Sequence, residues 1–137
     1  MAKPPRTTNS GTFFITAITS NRKRIFQVTR NAEMFLEVLQ HYRAEEHFKL
    51  YGFVVMPQHV HLLLTTEDLP KAMRHIKGGF SRRLDSKFPV WQLGYTDHLV
   101  RNRKEFDVRL NYIHQNPVME RMVERAEQYP YSSAYCG

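Results

Sequence analysis

The hydrophobic pattern changes period several times along the chain, and each change marks an element. Residues 12–20 (TFFITAITS) are β-branched and aromatic and predict a strand. Residues 25–28 (IFQV) predict a short strand, either an extension of the first or a return strand. From Asn31, a favourable N-cap, to about residue 47, Phe35, Val38, Leu39 and Tyr42 recur at i, i+3, i+4 and i+7, one face of a helix. Residues 49–56 and 59–66 predict two strands joined by a tight turn at Pro57-Gln58. Asp68 can cap a second helix reaching about residue 87, with Leu69, Ala72, Met73, Ile76, Phe80 and Leu84 in one stripe. Gly78-Gly79 interrupts that stretch at about 1 kcal/mol per glycine. After Phe88-Pro89, residues 90–100 predict a fourth, irregular strand or an extended segment with a glycine kink. Residues 105–116 predict a third helix with Phe106, Leu110 and Ile113 inward. Pro117 either interrupts this helix or opens a short one to about residue 125, with Asn116 as its N-cap. The last ten residues are aromatic and irregular, and residues 1–11 predict a flexible polar arm.

The order β-α-β-β-α-β-α matches an α+β, ferredoxin-like split βαβ fold with an antiparallel sheet. The two early helices cover one face, and the helix carrying Tyr112 takes the other. Residues 12–137 then form one domain, with no internal repeat and no second unit.

The third strand carries the first candidate chemistry. In FVVMPQHVHLLLTT, Val60, Leu62 and Leu64 share one face, and His59 and His61 share the other. Alternate residues of a strand lie about 6–7 Å apart at Cα, so the two imidazoles can converge on one metal ion. A surface edge strand with two solvated histidines is the plain alternative. The apolar runs on both sides favour a central strand instead.

Charge narrows the partner. Lys and Arg number 20 against 13 Asp and Glu, a formal net charge of +7, which favours a polyanion such as nucleic acid. The basic groups fall in three clusters: Arg22, Lys23 and Arg24 in a turn; Arg74, Lys77, Arg82, Arg83 and Lys87 on the second helix; Arg101, Arg103 and Lys104 before the third. Each is either a solvated surface or a phosphate contact. The lone cysteine, Cys136, supports neither an internal disulfide nor a zinc cluster. No apolar run approaches a membrane span, and the N-terminus lacks the core of a secretion signal, so a reducing cytoplasm is expected.

Tyr112 stands about 100° from Ile113 around its helix and should flank the core. Gln115 and Asn116, three and four residues on, share its side. A phenol, an amide and two imidazoles could form a three-ligand metal site beside a nucleophile. A core-edge tyrosine with its hydroxyl in water is the competing reading.

Four strings in this order, VVMPQHVHLLL, WQLGYTDHLV, YIHQNPV and YPYSSA, resemble the IS200-like single-tyrosine (HUH) transposases, most closely the REP-associated tyrosine branch. The similarity runs over residues 12–134. It implies that His59 and His61 bind Mg²⁺ or Mn²⁺, that Tyr112 is the nucleophile, and that the third ligand is an amide one turn later, Asn116, with Gln115 the second choice. His98, in the GYTDH string, receives no role. The implied activity is metal-dependent nicking and strand transfer on single-stranded DNA with hairpin or palindromic ends, through a 5′-phosphotyrosine, in the cytoplasm at the nucleoid. The basic clusters would hold the backbone. Tyr112 serves its own histidines in a monomer and a partner's in a homodimer, and the residues leave both open. A DNA-binding module that keeps the fold without turnover is the alternative. A cupin would place a Glu after four intervening residues, whereas five separate Glu67 from His61; an amidohydrolase barrel needs roughly 250 residues.

Overall fold

A computed structural model describes residues 8–137. Strands β1 (Gly11–Ile18), β2 (Lys49–Val55), β3 (His59–Thr66) and β4 (Thr96–Leu99) form one antiparallel sheet in the order β2-β3-β1-β4. Helices α1 (Thr29–Ala44), α2 (Leu69–Leu84) and α3 (Arg103–Met119) complete the fold. β1 and β2 flank β3, which is the split βαβ arrangement, and the His-bearing strand is central as expected.

Period-two alternation sorts the sheet into two cores. Phe13, Ile15, Ala17, Val60, Leu62 and Leu64 point to the α1–α2 side and pack with Phe35, Val38, Leu39, Ile76 and Phe80. Phe14, Val54, Leu63 and Met56 point the other way, onto Ile113 of α3 and Tyr129. Asp68 caps α2 by accepting from the Lys71 N–H at 3.2 Å. The Gly78-Gly79 pair has a packing reason at its second member: a Cβ on Gly79 would lie 2.9 Å from the Tyr42 ring of α1.

Several local expectations are corrected. Residues 25–28 form no strand; Ile25–Gln27 is a 3₁₀ turn that buries Phe26 against Phe35, Phe80 and Trp91. β1 already has β3 on one edge and β4 on the other, so no edge remains for a returning strand. Asn31 is not a cap. α1 starts at Thr29, and the Asn31 amide donates to the Ile25 carbonyl at 2.9 Å. α2 stops at Leu84, where Asp85 turns left-handed. In residues 90–100 the expected glycine kink is present at Gly94 (φ +75°), and only Thr96–Leu99 is strand. Lys77 holds the Gln92 and Gly94 carbonyls across that kink. Pro117 neither breaks α3 nor starts a new helix, so Asn116 is a helix-interior residue. Of the expected flexible arm, residues 1–7 lie outside the described residues. Residues 8–11 join the fold, with Gly11 in β1 and the Asn9 carbonyl accepting from Leu69 N–H at 2.9 Å.

The tail is ordered along the outer edge of β2. Tyr131 and Ser132 pair with Val55 and Val54, and the Tyr129 hydroxyl donates to the Val55 carbonyl at 2.6 Å. It shields backbone groups that an edge strand would otherwise expose.

Candidate active site

α3 is laid across the sheet by three local features. Asn102 caps it, accepting from Glu105 N–H at 2.9 Å. Ile113, with Leu110 and Phe106, buries its apolar side. Gly52 of β2 permits the close approach: a Cβ there would lie 2.5 Å from Leu110 Cδ1. The sequence reading passed over Gly52. A lone glycine in a strand, where a close backbone approach is common, was the available signal.

This seating brings Tyr112 and Asn116 over the histidine pair of the same chain. The His59 and His61 rings are 4.8 Å apart between centroids, and the Tyr112 ring lies 5.4 Å from that of His61. Asn116 is 4% exposed, and its Oδ1 is 3.3 Å from His59 Nε2. Tyr112 is 40% exposed, so the phenol borders solvent while the imidazoles lie beneath. Gln115 is half-buried and makes no hydrogen bond to either histidine.

Thr16 of β1 pairs directly with His61 in the sheet, and its Oγ1 lies 2.9 Å from His61 Nδ1. A hydroxyl accepting from Nδ1–H leaves Nε2 with its lone pair, the tautomer a metal needs. Sequence reasoning missed Thr16, because nothing in the local string ties it to a residue 45 positions away.

Burial keeps both imidazoles neutral. Desolvation, reinforced by the neighbouring His59, pushes His61 down to about 3, against a weaker backbone contact at Ile15. His59 is lowered chiefly by burial; its Asn116 hydrogen bond and the Glu120 carboxylate oppose this, and the Arg22 guanidinium adds to it. Neutral rings at pH 7 can bind a cation without first losing a proton. Among the described residues no three His, Cys, Asp or Glu side chains cluster for a metal; the groups that meet at the pair are two imidazoles and the Asn116 amide. Imidazole and amide donors with open positions suit a catalytic divalent ion.

The basic clusters are dispersed. Arg22 lies near His59. Lys23 sits over the Phe88 ring, and Arg24 donates to Gln27. The α2 cations are carried by the helix that covers the face opposite the histidines. There Arg83 pairs with Glu37 at 3.2 Å, Arg82 reaches the Tyr42 hydroxyl, and Arg74 is exposed. Arg101, Arg103 and Lys104 are exposed at the start of α3, with Arg103 paired to Asp107. His98 sits opposite Phe14 in the sheet, its ring 6.2 Å away, on the histidine side but one strand removed from the pair. No helix among the described residues is long and apolar enough to cross a membrane.

The family model described as "Transposase IS200 like" matches residues 8–116. A REP-associated tyrosine transposase of Escherichia coli K12 is 28% identical over 127 residues, covering 90% of this chain and 76% of that protein. A solved structure of a REP-associated tyrosine transposase bound to a REP hairpin superposes with a TM-score of 0.84 at 27% identity, over 97% of this chain and 82% of the other.

Proposed function

This chain belongs to the IS200-like transposase family, in its REP-associated tyrosine branch, and from that premise we propose that it nicks and rejoins single-stranded DNA through Tyr112. The observation that carries the reading is the convergence of the Tyr112 ring on His61 at 5.4 Å with Asn116 Oδ1 at 3.3 Å from His59. Residues 59–61 and 112–116 are remote in sequence, and neither packing nor capping requires these polar groups to meet.

His59, His61 and Asn116 would hold a divalent cation, Mg²⁺ or Mn²⁺. When bound, such an ion supplies Lewis-acid polarisation of a phosphodiester and offsets the charge that develops there. Tyr112 Oη attacks phosphorus and releases its phenol proton to solvent. The bond from phosphorus to the 3′-oxygen breaks, and that oxygen leaves as a hydroxyl after taking up a proton. The product is a 5′-phosphotyrosine. Attack by a second 3′-hydroxyl restores the phenol and joins two strands with no external energy source. Tyr112 is poised at the solvent boundary, where a flexible single strand can reach it. Burial of the histidines keeps them fixed and uncharged.

The partner DNA would be single-stranded with hairpin or palindromic ends, a reading supported by the similar solved structure, which is bound to a REP hairpin. Arg22, Lys23 and Arg24 would contact the backbone at the histidine end of the site, and Arg101, Arg103 and Lys104 near the start of α3. Arg74, Lys77, Arg82 and Arg83 lie across the sheet, so any DNA they hold is distant from the scissile bond. Lys77, already hydrogen-bonded to two carbonyls, contributes least. Such contacts make affinity fall steeply with salt. The protein would act in the cytoplasm, at the nucleoid, with each chain's Tyr112 serving its own histidines.

The test is an SDS-stable adduct between the protein and a hairpin-bearing single strand in Mn²⁺. Wild type should form it. Tyr112→Phe should bind the same DNA within about twofold and form none. Adducts in that variant would reject Tyr112 as the nucleophile. Tight binding without any wild-type adduct would favour a DNA-binding module without turnover.

A further inference from the structure

Phe14 lies on the sheet surface beneath α3, and four polar side chains meet its ring. His61 stacks on it at 5.4 Å, Tyr112 meets it edge-on at 5.8 Å, and His98 lies at 6.2 Å. The fourth is Arg109, whose guanidinium carbon is 4.7 Å from the ring centroid. Arg109 precedes Tyr112 by three residues and Asn116 follows it by four, so all three leave one side of α3 at intervals of about one turn.

Arg109 differs from Arg103 at the start of the same helix. Arg103 is mostly exposed and paired with Asp107 at 3.0 Å. Arg109 is half-buried, and among the described residues no carboxylate pairs with it. Its observed partner is an aromatic face, which orients a guanidinium without neutralising it. A fixed, uncompensated guanidinium presents a planar fork of donors that matches two oxygens of a phosphodiester. It stands one turn from the phenol that would attack phosphorus.

We propose that Arg109 is a further catalytic residue, gripping the non-bridging oxygens of the scissile phosphodiester while Tyr112 attacks, and that Phe14 is the positioning residue that aims it. The inference rests on the reading of Tyr112 as nucleophile. Charge on those oxygens must be balanced as the Tyr112 Oη–phosphorus bond forms and the bond to the 3′-oxygen breaks. A preorganised donor at such a position contributes about 10²–10³-fold in rate. Phe14 also touches His61 and Tyr112, so one ring would set the spacing of nucleophile, metal ligand and cation together.

Single-turnover adduct formation on saturating hairpin DNA with Mn²⁺ tests this. Arg109→Ala should slow the step by about a hundredfold, and Arg109→Lys should recover part of the loss. Affinity for an oligonucleotide truncated before the scissile phosphate should stay within twofold, a readout that general backbone binding or misfolding would move. Phe14→Leu should also slow the step, and Arg109→Ala should add little on top of it. A loss below tenfold in Arg109→Ala, or an equal loss of affinity for the truncated strand, would overturn the assignment. Wild-type adducts with an unaffected Arg109 variant would sink this inference alone. No wild-type adduct, or an adduct in Tyr112→Phe, would sink the reading beneath it.

Discussion

Replacing Thr16 with valine isolates one contact in the proposed metal site. Valine keeps the shape and β-branching suited to a strand and removes only the hydroxyl 2.9 Å from His61 Nδ1. In wild type that hydroxyl engages Nδ1, and it can accept from the Nδ1–H tautomer that leaves the Nε2 lone pair free. Without it, His61 can place its proton on Nε2, and an incoming cation must then shift it. Loss of such an outer partner costs about 10–100-fold in metal affinity, or about 1.4–2.8 kcal/mol. The backbone contact at Ile15 persists, which sets the expectation for Thr16→Val at the lower end, about tenfold. Mn²⁺ titration of the adduct-forming rate reads this directly. The half-saturating concentration should rise about tenfold, while the rate at saturating Mn²⁺ should stay within about threefold of wild type. Apo stability should fall by no more than about 1–2 kcal/mol, because a neutral ring can change tautomer and relieve the orphaned nitrogen. An unchanged Mn²⁺ midpoint would refute the argument that Thr16 orients His61, and a collapse in rate at saturating metal would show that the hydroxyl does something else.

Gly52→Val should leave the sheet and the α1–α2 core folded but push α3 outward, since the new Cβ would sit 2.5 Å from Leu110. Adduct formation should drop by at least tenfold, with a stability loss of about 1–3 kcal/mol from overpacking; wild-type turnover would mean that α3 is not held at a critical distance. Stability of the metal-free protein should decline on acidification. Folded His61 titrates near 3 and an unfolded histidine near 6.5, so between those values the unfolded chain holds the extra proton. Stability attributable to His61 is therefore complete above pH 6.5 and is lost as pH falls toward 3, by up to about 1.4 kcal/mol per pH unit. Urea unfolding at pH 7 and pH 5 in chelator should show a drop about 2 kcal/mol larger in wild type than in His61→Gln; identical drops would remove the buried neutral imidazole from the account. Losing either ring, His59→Ala or His61→Ala, should abolish Mn²⁺-dependent nicking, and a rate unchanged from wild type would exclude a metal role for that histidine.

Much of this protein is fixed by short-range pattern. Alternation in residues 59–66 sets which side His59 and His61 share, and helical spacing puts Asn116 one turn beyond Tyr112, whatever the surroundings. Asp68 capping α2 is decided by four consecutive residues. The structure departs from the local pattern where a contact with a distant element decides. Residues 25–28 have strand-like composition, but both edges of β1 were already paired. Pro117 carries a breaking signal, since it removes its own N–H bond to Ile113 and crowds that carbonyl, yet α3 runs on to Met119. Packing against the sheet carries the helix through it.

What the chain by itself could not set is the distance between the imidazoles and the phenol. Those groups are more than fifty residues apart, and their meeting depends on how closely α3 approaches the sheet. Gly52, Leu110 and Ile113 govern that approach through contacts between elements. The same holds for Thr16 and Arg109. One becomes a histidine partner through β1–β3 register, and the other becomes an oriented cation through a ring on a different strand. Periodicity along a segment chooses a face, whereas the gap between two faces is a property of side-chain volumes packed from both sides.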